Sequence, residues 1–245
     1  MHGLGNDFVV VTGPVDLEPA TVAAWCDRRL GIGADGVLEL TAQGRNRVGM
    51  RYWNADGGEA EMCGNGLRCI AMYARDLGWV DGDDMVVATA VGDMPAQIVG
   101  DTMVRALVGT PTMPKEPMAL GELVLHPVSV GNPHAVVFVA DPDAVALEEL
   151  GPRIEHDTRF PDRTNVEFVT PTGSNHVRMR IWERGVGETK ASGTGATAAA
   201  YAAVQYRGLS APVTVALPGG ELVIEFEGPD AWMTGPAVKV FSGRI

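Results

Sequence analysis

The residues best suited to chemistry lie in one stretch, Asn54-Ala55-Asp56-Gly57-Gly58-Glu59-Ala60-Glu61-Met62-Cys63-Gly64-Asn65-Gly66. An alternating run, Val48 to Trp53, reads as a strand feeding this polar turn, and Gly64 to Leu77 reads as a helix. Leu67, Ile70, Ala71, Ala74 and Leu77 fall at spacings of three and four, which makes an inward-facing stripe. Cys63 therefore stands at a helix N-terminus, where unpaired N–H groups and the positive dipole end favour an anion. A thiol so placed can ionise well below its usual value of about 8.5, which suits it to proton transfer. Read alone, a cysteine is a small buried hydrophobe. The glycine-flanked turn, and a second copy of it, point to chemistry instead.

The second copy lies 129 residues further on. Arg51-Tyr52-Trp53 is matched by Arg180-Ile181-Trp182, Gly58-Glu59 by Gly187-Glu188, and Gly64-x-Gly66 by Gly193-x-Gly195. Cys63 falls on Ser192, and the helix after it falls on Gly193 to Tyr206. The same spacing pairs Asp35-Gly36-Val37 with Thr164-Asn165-Val166, and Gly5-Asn6 resembles Gly131-Asn132 at a spacing three shorter. This is duplication of a half-domain, with a period too long for a solenoid.

The elements that must position these residues can be taken in order. Phe8 to Val11 reads as a strand, and a helix is expected from Pro19 to Leu30, with proline in its first turn. Gly31-x-Gly33-x-x-Gly36 has the letters of a dinucleotide fingerprint. That motif needs a strand before it and a helix after it, however. Here a helix precedes and the strand Val37 to Leu40 follows, so it reads as a turn. Met85 to Thr89 and Met103 to Val108 suggest meandering antiparallel strands. Pro111, Pro114 and Pro117 mark an interdomain linker. In the second half, Val128 to Val130 and Ala135 to Val139 read as strands, and Asp141 caps a helix over Pro142 to Leu150. Val177 to Trp182 reads as a strand. The helix from Gly193 is apolar all round and must be buried. Val213 to Leu217, Glu221 to Phe226 and Ala237 to Phe241 read as the closing strands. Many strands with few helices imply an α+β fold of two pseudo-symmetric lobes. The expected lobes are residues 1–112 and 113–235, with a last strand at about 236–245 packing back onto the first.

Composition narrows the functional classes. The chain has 245 residues, 46% hydrophobic and 20% charged, an ordinary balance for a globular protein. A net charge of −12 without a Lys/Arg cluster argues against nucleic acid and anionic membrane as partners. No apolar run approaches the length of a membrane span. Three cysteines make no disulfide framework, so a cytoplasmic location is expected. Cys63 and Cys69 would fall on different helix faces with no second Cys/His pair nearby, so no metal is expected.

Met-His-Gly-Leu-Gly-Asn-Asp-Phe at 1–8, Gly-Ile-Gly-Ala-Asp-Gly at 31–36 and the 54–66 stretch resemble the diaminopimelate epimerase family. So do Gly-Asn-Pro-His at 131–134, Arg-Thr-Asn-Val-Glu-Phe at 163–168 and Glu-Arg-Gly-Val-Gly-Glu-Thr at 183–189, leading into Ser-Gly-Thr-Gly. These blocks span nearly the whole chain in family order. The resemblance implies that each lobe is a curled, mostly antiparallel sheet around a central helix, with the site between the lobes. It implies epimerisation at an amino-acid α-carbon with no cofactor, one thiol removing the proton and a second returning one from the opposite face, in a homodimer. It assigns Cys63 and Ser192 as the catalytic pair. Asn6, with the backbone amides of Gly64, Asn65, Gly193 and Thr194, would hold the α-carboxylate. Asn54, Asn132, Asn165, Glu183 and Arg184 would hold the distal end, with His134 in support.

The chemistry agrees with the spacing. Without a cofactor, charge developing at the α-carbon must be stabilised electrostatically, and helix N-termini aimed at a carboxylate do this. Arg184 offers a bidentate fork to a carboxylate, although such an arginine taken singly is more often part of a surface or structural ion pair. Asn132 and Asn165 also suit turns. Two departures from the family pattern stand out. Ser192 occupies the second thiol position, and a hydroxyl needs an adjacent base that the sequence does not reveal. The family's chains usually begin several residues before Met1, which would shorten the first strand. Two alternatives therefore stay open: a related racemase, epimerase or dehydratase using Cys63 alone on another amino acid, and a binding paralogue.

Overall fold

Period-two burial builds most of this molecule. Val104, Ala106 and Val108 are buried along one strand, and Val213, Val215 and Leu217 along another, with less buried residues between them. The computed structural model describes residues 1–244 and forms two units, Met1–Leu107 with Thr234–Ile245, and Val108–Met233.

The first unit runs β1 (His2–Gly3), β2 (Asn6–Thr12), α1 (Pro19–Cys26), β3 (Gly36–Gly44), β4 (Arg47–Asn54), β5 (Glu59–Ala60), α2 (Gly64–Asp76), β6 (Asp84–Thr89), β7 (Gly92–Ile98) and β8 (Met103–Gly109), which reaches the unit boundary. β2 pairs with β3 in parallel, β3 with β4 antiparallel, β4 with β6 in parallel, and β6 with β7 antiparallel. β5 folds back on β4. This curled sheet wraps α2, which touches β1, β2, β3, β4, β6 and β7. Leu67, Ile70, Ala71 and Ala74 face inward as the spacing predicts, packing with Leu38, Leu40, Val48 and Val87, whereas Leu77, expected on the same stripe, is the C-cap beyond the helix end and is exposed.

The second unit repeats the pattern. β9 (Met118–Leu120), β10 (Leu123–Ser129), β11 (Pro133–Phe138), α3 (Leu147–Glu155), β12 (Asn165–Pro171), β13 (His176–Glu183), β14 (Gly187–Thr189), α4 (Gly193–Arg207), β15 (Val213–Leu217), β16 (Gly220–Glu227) and β17 (Asp230–Pro236) follow in order. β11 pairs with β12 in parallel, β12 with β13 antiparallel, β13 with β15 in parallel, and β15 with β16 antiparallel. This is the ladder of the first unit strand for strand. α4 lies against β10, β11, β12, β13, β15 and β16, and its alanines 196, 198, 199, 200, 202 and 203 are wholly buried. Small side chains on every face let the sheet close around it. Even the registers correspond: Phe8 opposes Gly36 in one unit and His134 opposes Asn165 in the other.

Three local expectations are corrected. α1 stops at Cys26, short of Leu30, because the Asp27 carboxylate accepts from the Arg29 and Leu30 N–H groups, both at 2.7 Å, and turns the chain. Asp141 does cap, accepting from the Asp143 N–H at 3.1 Å. The result is a 3-10 turn over Pro142–Ala144, after which an extended Val145 breaks the path before α3. The closing strand is Asp230–Pro236 rather than Ala237 to Phe241. Beyond it the chain is held by Ala237 N–H to Thr102 O at 2.7 Å and a bridge between Val238 and His2, while Val240 and Phe241 are exposed. β12 escapes an alternation reading because its first five residues are all buried.

Replacing Ile70, fully buried in α2, by alanine should cost about 2–5 kcal/mol. Leu30→Ala, at a side chain 92% exposed, should stay within about 0.5 kcal/mol. Denaturant melts of the two variants measure the contrast.

Candidate active site

Cys63 is the N-cap of α2, in extended conformation at φ −141° and ψ 118°. Ser192 is the N-cap of α4, at φ −139° and ψ 124°. The duplication has thus delivered two side chains in one backbone geometry, each before a glycine-opened helix whose first N–H groups lack intrahelical partners. Gly66 and Gly195 keep the space beneath them. A Cβ on Gly66 would lie 2.9 Å from Leu38 Cδ2, and one on Gly195 would lie 2.5 Å from Ile181 Cδ1 and 3.1 Å from Ser192 Oγ.

Around Cys63 the first unit gathers Asn6, Gly64 and Asn65. Cys63 Sγ lies 3.6 Å from Asn6 Oδ1, which also accepts from Asn65 Nδ2 at 3.1 Å. Asn6 Nδ2 donates to Asp35 at 2.9 Å, and Arg28 bridges Asp35 and Asp7 at 2.7 Å each. The start of β2 is therefore tied to the loop before β3, which fixes Asn6. Asn54 is not part of this group through its side chain. It is exposed at the end of β4, and its backbone closes a turn with Gly57 and Gly58 at 2.9 Å. Gly57 sits at φ +89° with Pro19 O 2.4 Å from where a Cβ would be, so only glycine fits there.

Around Ser192 the second unit gathers groups of a different character. Ser192 Oγ accepts from the Gly195 N–H at 3.3 Å, and Ser192 is near enough to Glu183 to pull its proton affinity down. Thr189 donates to that carboxylate. Burial holds the Glu183 carboxyl above its ordinary range, and the two hydroxyls offset this only in part. Behind them His134 Nδ1 meets Glu167 Oε1 at 2.6 Å, both side chains fully buried. His134 Nε2 faces Asn132 Oδ1 at 2.9 Å, and Asn132 Nδ2 donates to Thr194 at 3.4 Å. With Nε2 donating to Asn132, His134 Nδ1 and Glu167 share one proton. Burial raises the Glu167 carboxyl as well, and its Oε2 makes no hydrogen bond among the described residues.

Asn165 and Arg184 stand at the edge of this group. Asn165 spans Pro133 O and the Arg184 N–H, both at 2.9 Å, so its amide fixes the turn that carries Arg184. Arg184 is exposed and donates to Asp162 O at 3.0 Å. Glu183, nine residues before Ser192, stands at the end of β13, where the β13–β14 hairpin turns back toward Ser192. Glu167 went unnoticed, although the repeat held a signal. The spacing that pairs the two helices sets Glu167 on Leu38, and the spacing three shorter sets His134 on Phe8. Both are changes from an apolar to an ionisable residue.

A curled sheet wrapped around a central helix, present in two copies, is a fold shared with solved structures. A hydroxyproline epimerase from Agrobacterium vitis superposes at TM-score 0.64 with 16% identity, covering 96% of this chain and 87% of that one. A phenazine biosynthesis protein from Bacillus anthracis does so at 0.69 with 16% identity, covering 87% and 86%. These likenesses establish the fold class. Within it, the chain belongs to the diaminopimelate epimerase family, whose model matches residues 1–114 and 127–240. The diaminopimelate epimerase of Sphingopyxis alaskensis is 45% identical over 262 residues, covering 100% of this chain and 95% of its own. That of Synechocystis is 42% identical over 268, covering 99% and 96%.

The raised Glu183 carboxyl has a consequence for stability. Between its ordinary value of 4.5 and its raised one, the native state holds a proton that the unfolded chain has lost, so stability falls as pH rises through that window. Glu183→Gln should flatten the slope above about pH 4.5, as read by urea midpoints across pH.

Proposed function

We propose that this protein is a diaminopimelate epimerase. It would invert one α-carbon of LL-2,6-diaminopimelate to give the meso form, in lysine and cell-wall biosynthesis, by moving the α-proton with its own side chains. The observation that carries the reading is the pair of proton-bearing N-cap residues, Cys63 and Ser192, in one backbone geometry at glycine-opened helix starts. The family membership supplies the substrate.

The α-proton is weakly acidic, so its removal needs the developing charge held by the substrate carboxylate. The amides of Gly64, Asn65, Gly193 and Thr194, with Asn6, would bind that carboxylate at the positive helix ends. Cys63 takes the proton from one face, as thiolate chemistry allows at neutral pH. Ser192 returns one to the opposite face. Its hydroxyl alone is too weak an acid. With the burial-raised Glu183 carboxyl turning its own proton toward Oγ, the hydroxyl could give its proton to carbon as the carboxyl gives one to Oγ, so no alkoxide would stand free. The C–H bond forms, the Ser192 O–H is renewed, and the charge comes to rest on Glu183. Arg184 with Asn54, Asn132 and Asn165 would read the distal amino-carboxylate group, Arg184 through a bidentate fork. A cytoplasmic homodimer completes this reading.

Cys63→Ala should abolish α-proton exchange with deuterated solvent while leaving the fold intact. Exchange at the wild-type rate in that variant would overturn the reading. Glu183→Gln should slow LL-to-meso conversion by about 10²–10⁴-fold, the span of a positioned acid or base. Adding Ser192→Cys should restore part of the loss, because a thiol needs no carboxyl to recharge it. No recovery would show that Glu183 does not act through Ser192.

A further inference from the structure

Glu155 is the last residue of α3, and only 3% of it is exposed. The position is doubly unfavourable for a carboxylate. Leaving water costs free energy unless the oxygens are met, and the C-terminal end of a helix carries the negative end of its dipole. Here both oxygens are met. Oε2 accepts from the Trp182 indole N–H at 2.7 Å and Oε1 from the Gly185 N–H at 2.9 Å, with Arg163 Nη1 at 3.6 Å from Oε1. Burial opposes the charge, yet these donors hold the Glu155 carboxyl below its ordinary range. α3 comes this close to β13 because residue 151 is glycine. A Cβ there would lie 2.5 Å from the Trp182 ring.

What this carboxylate holds is the turn of the β13–β14 hairpin. Gly185, at φ +75°, gives its N–H to Glu155, and the Arg184 N–H goes to Asn165 Oδ1 at 2.9 Å. Two consecutive amides of the turn are thus each taken by a side chain from another element of the unit. The first unit shows the same position without this tether. The spacing of 129 sets Glu155 on Cys26, the last residue of α1, and Trp182 on Trp53. Cys26 and Trp53 are buried together in an apolar cluster with Val22 and Val37. Packing this helix on this tryptophan therefore needs no carboxylate. Closing the turn needs none either: Gly57 N–H to Asn54 O at 2.9 Å is repeated as Val186 N–H to Glu183 O at 3.0 Å. The carboxylate occurs in the copy whose turn reads Glu183-Arg184 in place of Asn54-Ala55.

We propose that Glu155 is a positioning residue for recognition of the substrate's distal end, fixing the Arg184–Gly185 turn and through it the guanidinium that meets the distal carboxylate. The inference rests on the functional reading above for the identity of the bound group. Glu155 itself touches no substrate and acts through the turn.

The test is steady-state conversion of LL-2,6-diaminopimelate by Glu155→Gln. The amide keeps the shape of the side chain but turns an NH2 toward one of the two N–H donors, so one bond is lost. KM should rise about tenfold while kcat stays within about twofold, as when binding common to ground and transition states is removed. Arg184→Ala should raise KM by itself, and adding Glu155→Gln to it should raise KM further by less than about twofold. An unchanged KM in Glu155→Gln, or factors that multiply in the double variant, overturns the proposal. A merely structural glutamate would lower the unfolding midpoint and leave the KM of the folded protein where it was. Hydrogen exchange read by mass spectrometry without substrate keeps the two readings apart. Amides of 183–187 should exchange about tenfold faster in Glu155→Gln, while those of 54–58 in the first unit keep their rate. If the wild-type protein converts no diaminopimelate, the functional reading fails, and equal exchange at 183–187 in the two proteins overturns the tether as well. Should Glu155→Gln fail to fold, Glu155→Cys, with the side chain the first unit carries here, makes the same comparisons.

Discussion

The first N–H groups of an α-helix have no partner within the helix, and in this protein that deficit occurs twice at the start of a helix wrapped by a sheet. Everything near the two starts is arranged to use it. The residue at each cap, Cys63 or Ser192, is extended so that its side chain lies beside the amides rather than continuing the helix. The glycines that follow keep side chains out of the way, and a Cβ at Gly66 or Gly195 would strike the strand beneath. The buried faces of α2 and α4 keep these starts rigid. A helix held on all sides by strands cannot tilt its N–H groups away from a ligand.

Duplication gives such a scaffold symmetry, whereas inversion at carbon needs two groups in opposite protonation states. The structure reconciles these by changing the floor of each site and leaving its frame alone. Arg51 pairs with Glu59 at 3.0 Å on one copy of the hairpin, and Arg180 with Glu188 at 2.8 Å on the other. Beneath the helix starts the copies diverge. Phe8 and Leu38 become His134 and Glu167, Asn54 becomes Glu183, and Arg68 becomes Thr197. Each exchange trades an apolar or neutral residue for an ionisable one, or the reverse. The cost of burying Glu167 and Glu183 appears as carboxyls driven toward their protonated forms.

Much of this could be read without coordinates. The period-two runs located most strands, and the three-and-four spacing located α2 and its inward face, because both patterns follow from which side chains must leave water. The repeat at 129 residues fixed the equivalence of Cys63 and Ser192 and of the helices they cap. The elements that escaped were those whose boundaries depend on something other than burial period. α1 ends where one aspartate captures two backbone N–H groups. β12 is buried on both faces and shows no alternation.

By itself, the sequence determined the fold class, the family and the residues at the helix starts, because hydrophobic period, turn chemistry and an internal repeat are properties of residue order. Only the tertiary structure decided the electrostatics. That Glu183 lies against Ser192, that His134 and Glu167 share a proton, and that Arg68 reaches the turn of Cys63 all depend on which strands become neighbours. Those pairings join residues such as 134 to 167 and 68 to 236. A charge acquires its proton affinity from how far it is removed from water and what it faces there, and neither can be read from position along the chain.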